Sequence, residues 1–563
     1  NLIQSLGASG RLRFGAISAG GSIVLTLGTA TSQGELKTAS ADVVEVHAHS
    51  SKSITVQGAA QLYPAKCTGY DWYWDDNTSG TMTPMILKWL DFQFDIDLHT
   101  SGGNGAVKLQ LDGDCEFDAV TIQSGDTLDL NGQRMECSGV FTNTGTTNMG
   151  GAGSILQAKT FNLDGTIDEE IGASFIINGG ASNDNNDFTN ASFVGNATTN
   201  ILVNNGTTSL DWNGSEDYIG NLILGSPFRS QEASLNKCGN LTVATGATLD
   251  ADNDTITVAG DFTTSGGLLG ASCLTLNGSS EHAYQDTGNN YGIVNAFTFE
   301  HWMKSASTGD DSRVMDMANG VNGNNRVVHT FDSNKPQFKI ESDAVTATTA
   351  VNDSKWHHIA GTYDGTIMKI YVDGKLEGTH TPSSGNLRAS DNMEMWIGCG
   401  IDAAGGTFYT GIIDDFRIWS EVRTVTEIRA NMFDETPTDS NSKLEAHWKF
   451  NEGTGSAIDN AEGTSARDLV LNDGSGPHPT SMWPSATGDF VKGTSTLTLT
   501  GSSKNITYSS NETVQNLTIS GSYTMNDVAG DGWFQPAGNL NISGTLASAG
   551  SEALFMDGGG TLT

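Results

Sequence analysis

The side chains of this chain that could do chemistry are its histidines, carboxylates and cysteines. His357 and His358 are adjacent. On a strand, neighbours point to opposite faces, so this pair cannot converge on one substrate. Glu341 and Asp343 come nearest to a pair of acids, and cleavage of a glycosidic bond needs two carboxylates flanking it. No GxSxG, HExxH or Walker loop occurs, so the familiar nucleophile, zinc and phosphate signatures are missing. Cys67, Cys115, Cys137, Cys238, Cys273 and Cys399 form no CxxC pair, which argues against a zinc ribbon. Six cysteines could pair in about fifteen ways. Their wide spacing suits buried free thiols equally well.

The elements that must position these groups are strands. With 69 Gly, 10 Pro and 17% charged residues, the composition suits all-β structure with many turns. At 563 residues there is chain enough for two or three full cores. The net charge of −37 argues against nucleic acid, which needs basic surface to displace counterions, and against anionic membrane surfaces. It is compatible with a salty extracellular medium and with divalent cations. No apolar run is long enough for a membrane span. The chain begins at Asn1 without a signal-like opening and ends in Gly-Gly-Gly-Thr-Leu-Thr, so a longer precursor is expected on both counts.

One central stretch is the most legible. WHHIAGTYDGTIMKIYVDGKLEG from Trp356 reads as alternating strands with Asp364-Gly365 and Asp373-Gly374 at the turns, the strongest short hairpin signal. GIIDDFRIW from Gly411 reads as a further strand, and Thr424 with Glu427 then forms a capping box that opens a short helix. Together with FTFEHWMK from Phe297 and LEAHWKFNEGTGSAIDNAEG from Leu444, these phrases resemble the laminin-G-like jelly roll of the concanavalin A-type lectin/glucanase superfamily. The resemblance runs from about Ala271 to Gly474, about a third of the chain. It implies an antiparallel two-sheet sandwich outside the cell that displays a carbohydrate- or protein-binding surface.

The resemblance also implies candidate sites. Members often hold a cation at the loop edge, which makes Asp310, Asp311, Asp415 and Asp459 the metal candidates and calcium the ligand that oxygen clusters suit. The bland alternative is that Asp415 braces a loop and that Asp310-Asp311 is a solvated turn. Tyr284, Tyr291 and Tyr409 lie near turns and are the expected exposed platforms for sugar stacking. Trp302, Trp356, Trp396, Trp419 and Trp448 are strand residues, and most of them are expected in the core. The glucanase branch uses an E-x-D-x-x-E strand, and the Glu341-Asp343 pair lacks its third acid. The Trp-His-His run is expected to be a structural strand. No catalytic residue is assigned, and the chain is read as a non-enzyme.

Repeats flank this stretch. Val120-Thr-Ile-Gln-Ser-Gly-Asp-Thr-Leu-Asp129 matches Leu241-Thr-Val-Ala-Thr-Gly-Ala-Thr-Leu-Asp250 position for position, and Asn516–Gly521 matches Asn539–Gly544. Short strands punctuated by Gly at such a period are what a β-solenoid coil requires. Gly260-Asp-Phe262 before the jelly roll is echoed by Gly488-Asp-Phe490 after it, which suggests an insertion between coils. Cys115 and Cys137 are spaced near one coil length and are expected to be stacked neighbours. The first hundred residues are less clear: Ser22–Leu27 and Val43–Ala48 alternate, Tyr70, Trp72, Tyr73 and Trp74 cluster, and Leu90, Phe92, Phe94 and Ile96 would share one strand face. The expected fold is all-β, with β-solenoid-like repeats flanking an inserted antiparallel jelly-roll β-sandwich. Its expected parts are 1–100, a β domain or cap; 101–270, repeats; 271–475, the jelly roll; 476–487, a linker; and 488–563, repeats.

Thirteen N-x-S/T sequons, among them Asn190, Asn196, Asn205, Asn240, Asn505 and Asn516, follow from the Asn, Ser and Thr content and matter only in a glycosylating host. The expected function is that of a non-catalytic extracellular structural and adhesive protein, a virion surface or tail-fibre-type appendage with a lectin-like domain. A secreted or cell-surface bacterial adhesin is the alternative, and a polysaccharide-degrading enzyme the third reading. Expected partners are host-surface glycans or receptors, further copies of the chain or neighbouring structural proteins. Neither nucleic acid nor membrane insertion is expected.

Overall fold

The computed structural model describes residues 2–3, 11–15, 23–29, 32–33, 35–37, 43–48, 54–62, 64–68, 71–76, 85–93, 96–98, 107–179, 185–188, 190–194, 199–204, 209–211, 219–226, 228–229, 238–251, 255–293, 296–319, 326–383, 393–401, 407–437, 442–474, 482–484, 489–491, 495–508, 511–527, 532–550 and 553–554. The chain forms two compact units. One is Asn1–Leu222 with Phe228–Gly239 and Asp254–Thr257; the other is Ile223–Pro227 with Asn240–Asn253 and Val258–Thr563.

The first unit is a stack of parallel coils with three faces. On one face Ala65–Thr68, Leu90–Phe92, Cys115–Phe117, Arg134–Asn143 and Ile155–Leu163 pair in sequence order, with Leu90 beside Ala65 and Cys115 beside Leu90. The turn after Ile122 and its repeat partner after Val243 are built alike: Gly125 and Gly246 both sit at positive φ, and Asp126 N–H bonds Gln123 O as Ala247 N–H bonds Ala244 O. The matched decads therefore occupy equivalent settings. Inside the coils the aromatics stack, with Phe92 on Phe117 at 5.0 Å and Phe161 edge-on to Phe141 and Phe175 at 5.9 and 5.7 Å. Stacking lets each coil bury the next coil's row, which no lone coil could do.

Several expectations need correcting. Residue 100 marks no change of architecture, because Arg11–Gly15, Val43–Ala48 and Asp71–Asp76 already stack in parallel, as do Ile23–Thr29, Ile54–Gly58 and Met85–Lys88. The run from Met85 is three strands rather than one. Trp89 takes φ 52 and turns the chain between Met85–Lys88 and Leu90–Phe92, and Ile96 begins a further strand. Leu90, Phe92 and Ile96 are buried as expected; Phe94, Tyr70 and the side chains of Trp72, Tyr73 and Trp74 lie outside the described residues. Cys115 pairs with Met135 and Cys137 with Phe117, so these cysteines are offset rather than stacked. All six are buried free thiols.

In the second unit the insertion is explicit. Phe262 before the jelly roll pairs with Ile506 after it, and Thr248–Asp250 pairs with Asp489–Val491. Tyr523, from a later coil, places its hydroxyl 2.9 Å from Gly260 O and accepts from Gly501 N–H. The two Gly-Asp-Phe phrases thus sit on different faces and are not structural equivalents. Leu517 stacks on Leu497 and Leu540 on Leu517. At the coil corner Gly501, Gly521 and Gly544 lie in a column. Neither Gly521 nor Gly544 has positive φ, but a Cβ on Gly521 would collide with Gly501 O, and one on Gly544 with Gly521 O. Close approach, not backbone freedom, demands glycine in the repeated Ile-Ser-Gly. Gly521→Ala is expected to cost about 1–3 kcal/mol by forcing the coils apart. Urea unfolding measures it, and an unchanged midpoint would show that the corner can yield.

The jelly roll is two antiparallel sheets. One runs Leu274–Asn277, Thr410–Trp419, Phe297–Lys304, Trp356–Tyr363, Met368–Val372, Lys375–His380, with Leu444–Trp448 also beside Thr410–Trp419. The other runs Asp343–Thr346, Lys335–Ile340, Val327–Asp332, Met315–Ala318, Met393–Ile397, His282–Asn289, Leu469–Asn472, Ala457–Ile458. Phe297, Phe299, Phe338, Phe416, Trp448, Met315 and Met395 fill the space between them. Asp373 and Gly374 have φ 49 and 71, the two positive values a two-residue I′ hairpin needs. The helix is Val425–Asn431, and Thr424 and Glu427 cap it reciprocally. Met482 and Trp483, placed in the expected linker 476–487, are buried in this core, and Met482 O accepts from Thr275 N–H.

Candidate functional site

The strands hold the sequence-derived candidates in unlike places. Asp415 is buried, and its carboxylate meets Arg417 and, at 2.5 Å, His447 Nε2. Burial pushes this carboxyl up, but Arg417 and His447 override it and hold it below the usual range. Asp415 is therefore a buried strand residue held by two side chains, not a loop brace bonded through backbone amides. Asp310 accepts from Ser333 N–H at 2.7 Å, and Asp311 faces Lys339 at 3.2 Å. Asp459 meets Glu452 through its own N–H. The four acids are not brought together, and among the described residues no three His, Cys, Asp or Glu side chains gather as a metal set.

Of the three tyrosines, two are not exposed. Tyr291 is buried in the core beside Trp448 and under Arg467, and Tyr409 is buried against Phe331. Proximity to turns misled here, because both rings turn inward to complete the sandwich. Tyr284 alone stays half-buried, stacked on Trp396 at 4.9 Å. The tryptophans expected in the core are buried, all five.

The surroundings of Tyr284 form the candidate site. Ala283, Met395 and Met315 point into the core, so by strand alternation Tyr284, Trp396 and Asp316 face outward. These three lie in one register row across neighbouring strands. His282 stacks on Trp396 at 5.2 Å, and Phe408 closes the cluster. Burial lowers the affinity of His282 for a proton, while Ser280 O opposes the shift. Next in the row, Asp316 is fully buried and holds Arg313 and Arg326 at 2.5 Å each and Ile401 N–H at 3.1 Å. The two guanidiniums are thus fixed beside the aromatic stack. The Trp396 indole N–H is buried without a hydrogen-bond partner. Arg313, Arg326 and Asp316 were not singled out from sequence; the alternation Met395-Trp396-Ile397 is the one signal that could have set Trp396 on the outer face.

The other histidines and acids singled out from sequence pair within the fold. His357 bonds Asp373 at 2.9 Å and Asp353 at 3.0 Å; burial opposes its charge, but the two carboxylates prevail and raise its pKa to about 10. His358 points the other way, towards Glu300 and edge-on to Trp302. Glu341 and Asp343 do not form an acid pair: Glu341 occupies a turn at φ 54, and Asp343 takes His380 and Ser383.

Residues 277–429 match the profile of the concanavalin A-like lectin/glucanases superfamily. The inserted domain is a laminin-G-like jelly roll. A 120-residue stretch is 28% identical to pappalysin-1 of Homo sapiens, covering 19% of this chain and 7% of that protein; the mouse protein is 27% identical over 105 residues. The chain thus spans a small part of these curated relatives. Similar solved structures include a putative carbohydrate binding protein from Bacteroides ovatus, at 18% identity and TM-score 0.29, covering 36% of this chain and 58% of that one. A heptameric SAP-like pentraxin from Limulus polyphemus matches at 13% identity and TM-score 0.27, over 36% of this chain and 94% of that one. Within the laminin-G-like domain, the candidate site lies on the outer face of the second sheet. Among the described residues no helix is long and apolar enough to cross a membrane.

Proposed function

We propose that this chain is a non-catalytic extracellular protein whose laminin-G-like domain presents a glycan- or receptor-binding surface on a β-solenoid support. The observation that carries this reading is the half-buried Tyr284 ring, backed by Trp396 and set beside the fixed Arg313 and Arg326. A rigid aromatic face next to immobilised donors meets both the apolar and the hydroxyl-bearing side of a sugar at low entropic cost. A virion surface or tail-fibre-type appendage is the favoured setting, with a secreted or cell-surface adhesin as the alternative. Open solenoid edges favour association with further copies or neighbouring structural proteins, and repetition lets a shallow site act through avidity. With a net charge of −37, divalent cations such as calcium would raise affinity for anionic surfaces by screening.

Glycan-array and calorimetric binding by the full chain, with and without chelator, tests this, with light scattering for assembly. Tyr284→Ala is expected to weaken glycan binding about tenfold, the equivalent of about 1.4 kcal/mol, with the melting temperature unmoved. Steady release of reducing ends from a polysaccharide would sink the non-enzymatic reading, and a strictly monomeric chain that binds no glycan and no partner surface would leave the whole proposal unsupported.

A further inference from the structure

A second polar site lies wholly in the second unit, where the coils pass under the lead-in to the jelly roll. It is a cleft of ≈ 260 Å³. Its floor is a register row taken from four successive coil strands: Thr242 pairs with Thr263, Thr263 with Thr507, and Thr507 with Asn526. Parallel strands space such rungs about 4.8 Å apart, so the floor is a regular ladder of donors and acceptors. Among the described residues, none of these four side chains makes a hydrogen bond. Two carboxylates stand at the walls. Asp261 spends one oxygen on Asn505 N–H at 2.7 Å, and Glu435 spends one on Asn451 Nδ2 at 2.6 Å. Among the described residues the second oxygen of each has no partner.

We propose that this cleft binds a stretch of neutral glycan, a proposal that rests on the glycan-binding reading above. Its chemistry selects by exclusion. No Lys, Arg or aromatic side chain is among the described lining residues, and two carboxylates repel an anionic ligand. A polar floor disfavours an apolar ligand, whose burial would strip water from hydroxyls and amides without replacement. Vicinal hydroxyls satisfy carboxylate acceptors and Thr and Asn groups together. The rungs are held in register by the backbone ladder, so little ordering is needed on binding. A linear chain laid along the stack would meet the same groups at each coil.

The test is calorimetric titration of the full chain with neutral gluco-, manno-, galacto- and xylo-oligosaccharides and with a uronic-acid oligosaccharide, each with and without calcium. Thr263→Val and Asn526→Leu are near-isosteric and point away from the core, so melting temperatures are expected to hold. Each should weaken binding of a neutral oligosaccharide at least tenfold, with no effect of chelator, and the binding it weakens should survive in Tyr284→Ala. Binding lost in Tyr284→Ala and intact in both cleft variants would overturn the cleft and keep the Tyr284 platform; the reverse would keep the cleft and sink the platform. Cleft-dependent binding of the uronic-acid oligomer alone, or only with calcium, would overturn the neutral-glycan assignment, as would an absence of cleft-dependent binding across the panel.

Discussion

Arg417→Met is expected to destabilise the laminin-G-like domain by about 3–5 kcal/mol, the usual cost of stripping one partner from a buried ion pair. Arg417 is fully buried. It meets Asp415, lies 3.6 Å from Glu300, and donates to Asn431 O at 2.9 Å and to Asp434 O. The last two carbonyls lie at and beyond the end of the helix Val425–Asn431, where intrahelical donors run out. Removing the guanidinium therefore leaves two buried carboxylates short of a cationic partner, Asp415 keeping His447 at 2.5 Å, and uncaps the helix. Glu300 would keep only the Trp419 indole N–H, at 2.8 Å, as a close donor. Lysine cannot substitute, because a single ammonium cannot serve partners spread around a planar fork. Pairing Arg417→Met with Asp415→Leu should recover part of the loss, since it removes one of the two under-compensated buried charges. Urea unfolding of the full chain, followed by tryptophan fluorescence, reads both variants. A loss below about 1 kcal/mol in the single variant would show that water or a rearranged side chain reaches the network.

Asp415 illustrates how far sequence reading goes. The jelly roll was legible because its hairpin turns, capping box and alternating strands are local signals, and the structure places Asp373-Gly374 and Thr424 as that reading requires. The coils were legible through Gly125 and Gly246, whose positive φ fixes equivalent turns. What failed depended on three-dimensional context. Tyr291 and Tyr409 sit near turns, yet the rings point into the sandwich; distance along the chain says nothing of which way a ring swings. Trp89 breaks a strand that alternation would continue, because alternation cannot see a corner. Asp316 looks like any strand acid until Arg313 and Arg326 close on it. The candidate site was thus half-visible: Tyr284 could be named, but its backing by Trp396 and its flanking arginines come from register across strands. The cleft was invisible, because its floor draws on residues as far apart as Thr242 and Asn526.

Acid is expected to unfold the laminin-G-like domain well before its carboxylates are fully protonated, because three histidines are buried in it without charge. His301 Nε2 lies 2.9 Å from His329 Nδ1, and the His301 ring stacks on Phe416 at 5.0 Å. Burial, opposed by Trp302 O, lowers His301 to a pKa of about 4. Burial and then His301 lower His329 well below its ordinary value. Burial and then Arg417 lower His358 to about 3. A histidine whose folded pKa is depressed binds its proton more readily once unfolded. Its contribution is therefore intact above the unfolded value of 6.5 and is lost as pH falls towards the folded one. Each fully engaged group costs about 1.4 kcal/mol per pH unit; three together would consume several kcal/mol between pH 6.5 and 4, against a total domain stability of about 5–15 kcal/mol. Asp414 offsets part of this, because burial holds its carboxyl well above its ordinary value and the folded chain takes up that proton first as pH falls; His357 does not. With its folded pKa raised to about 10, its contribution is already complete below 6.5 and is lost only as pH rises towards 10. Stability should therefore fall in acid and again in base, where His357 loses its proton. Urea unfolding across pH 4–7 measures the slope, and His358→Gln should lower it by about one proton. His301 and His329 imidazole resonances titrating near 6.5 in the folded chain would refute the mechanism, because groups with ordinary pKa values cannot couple protonation to unfolding.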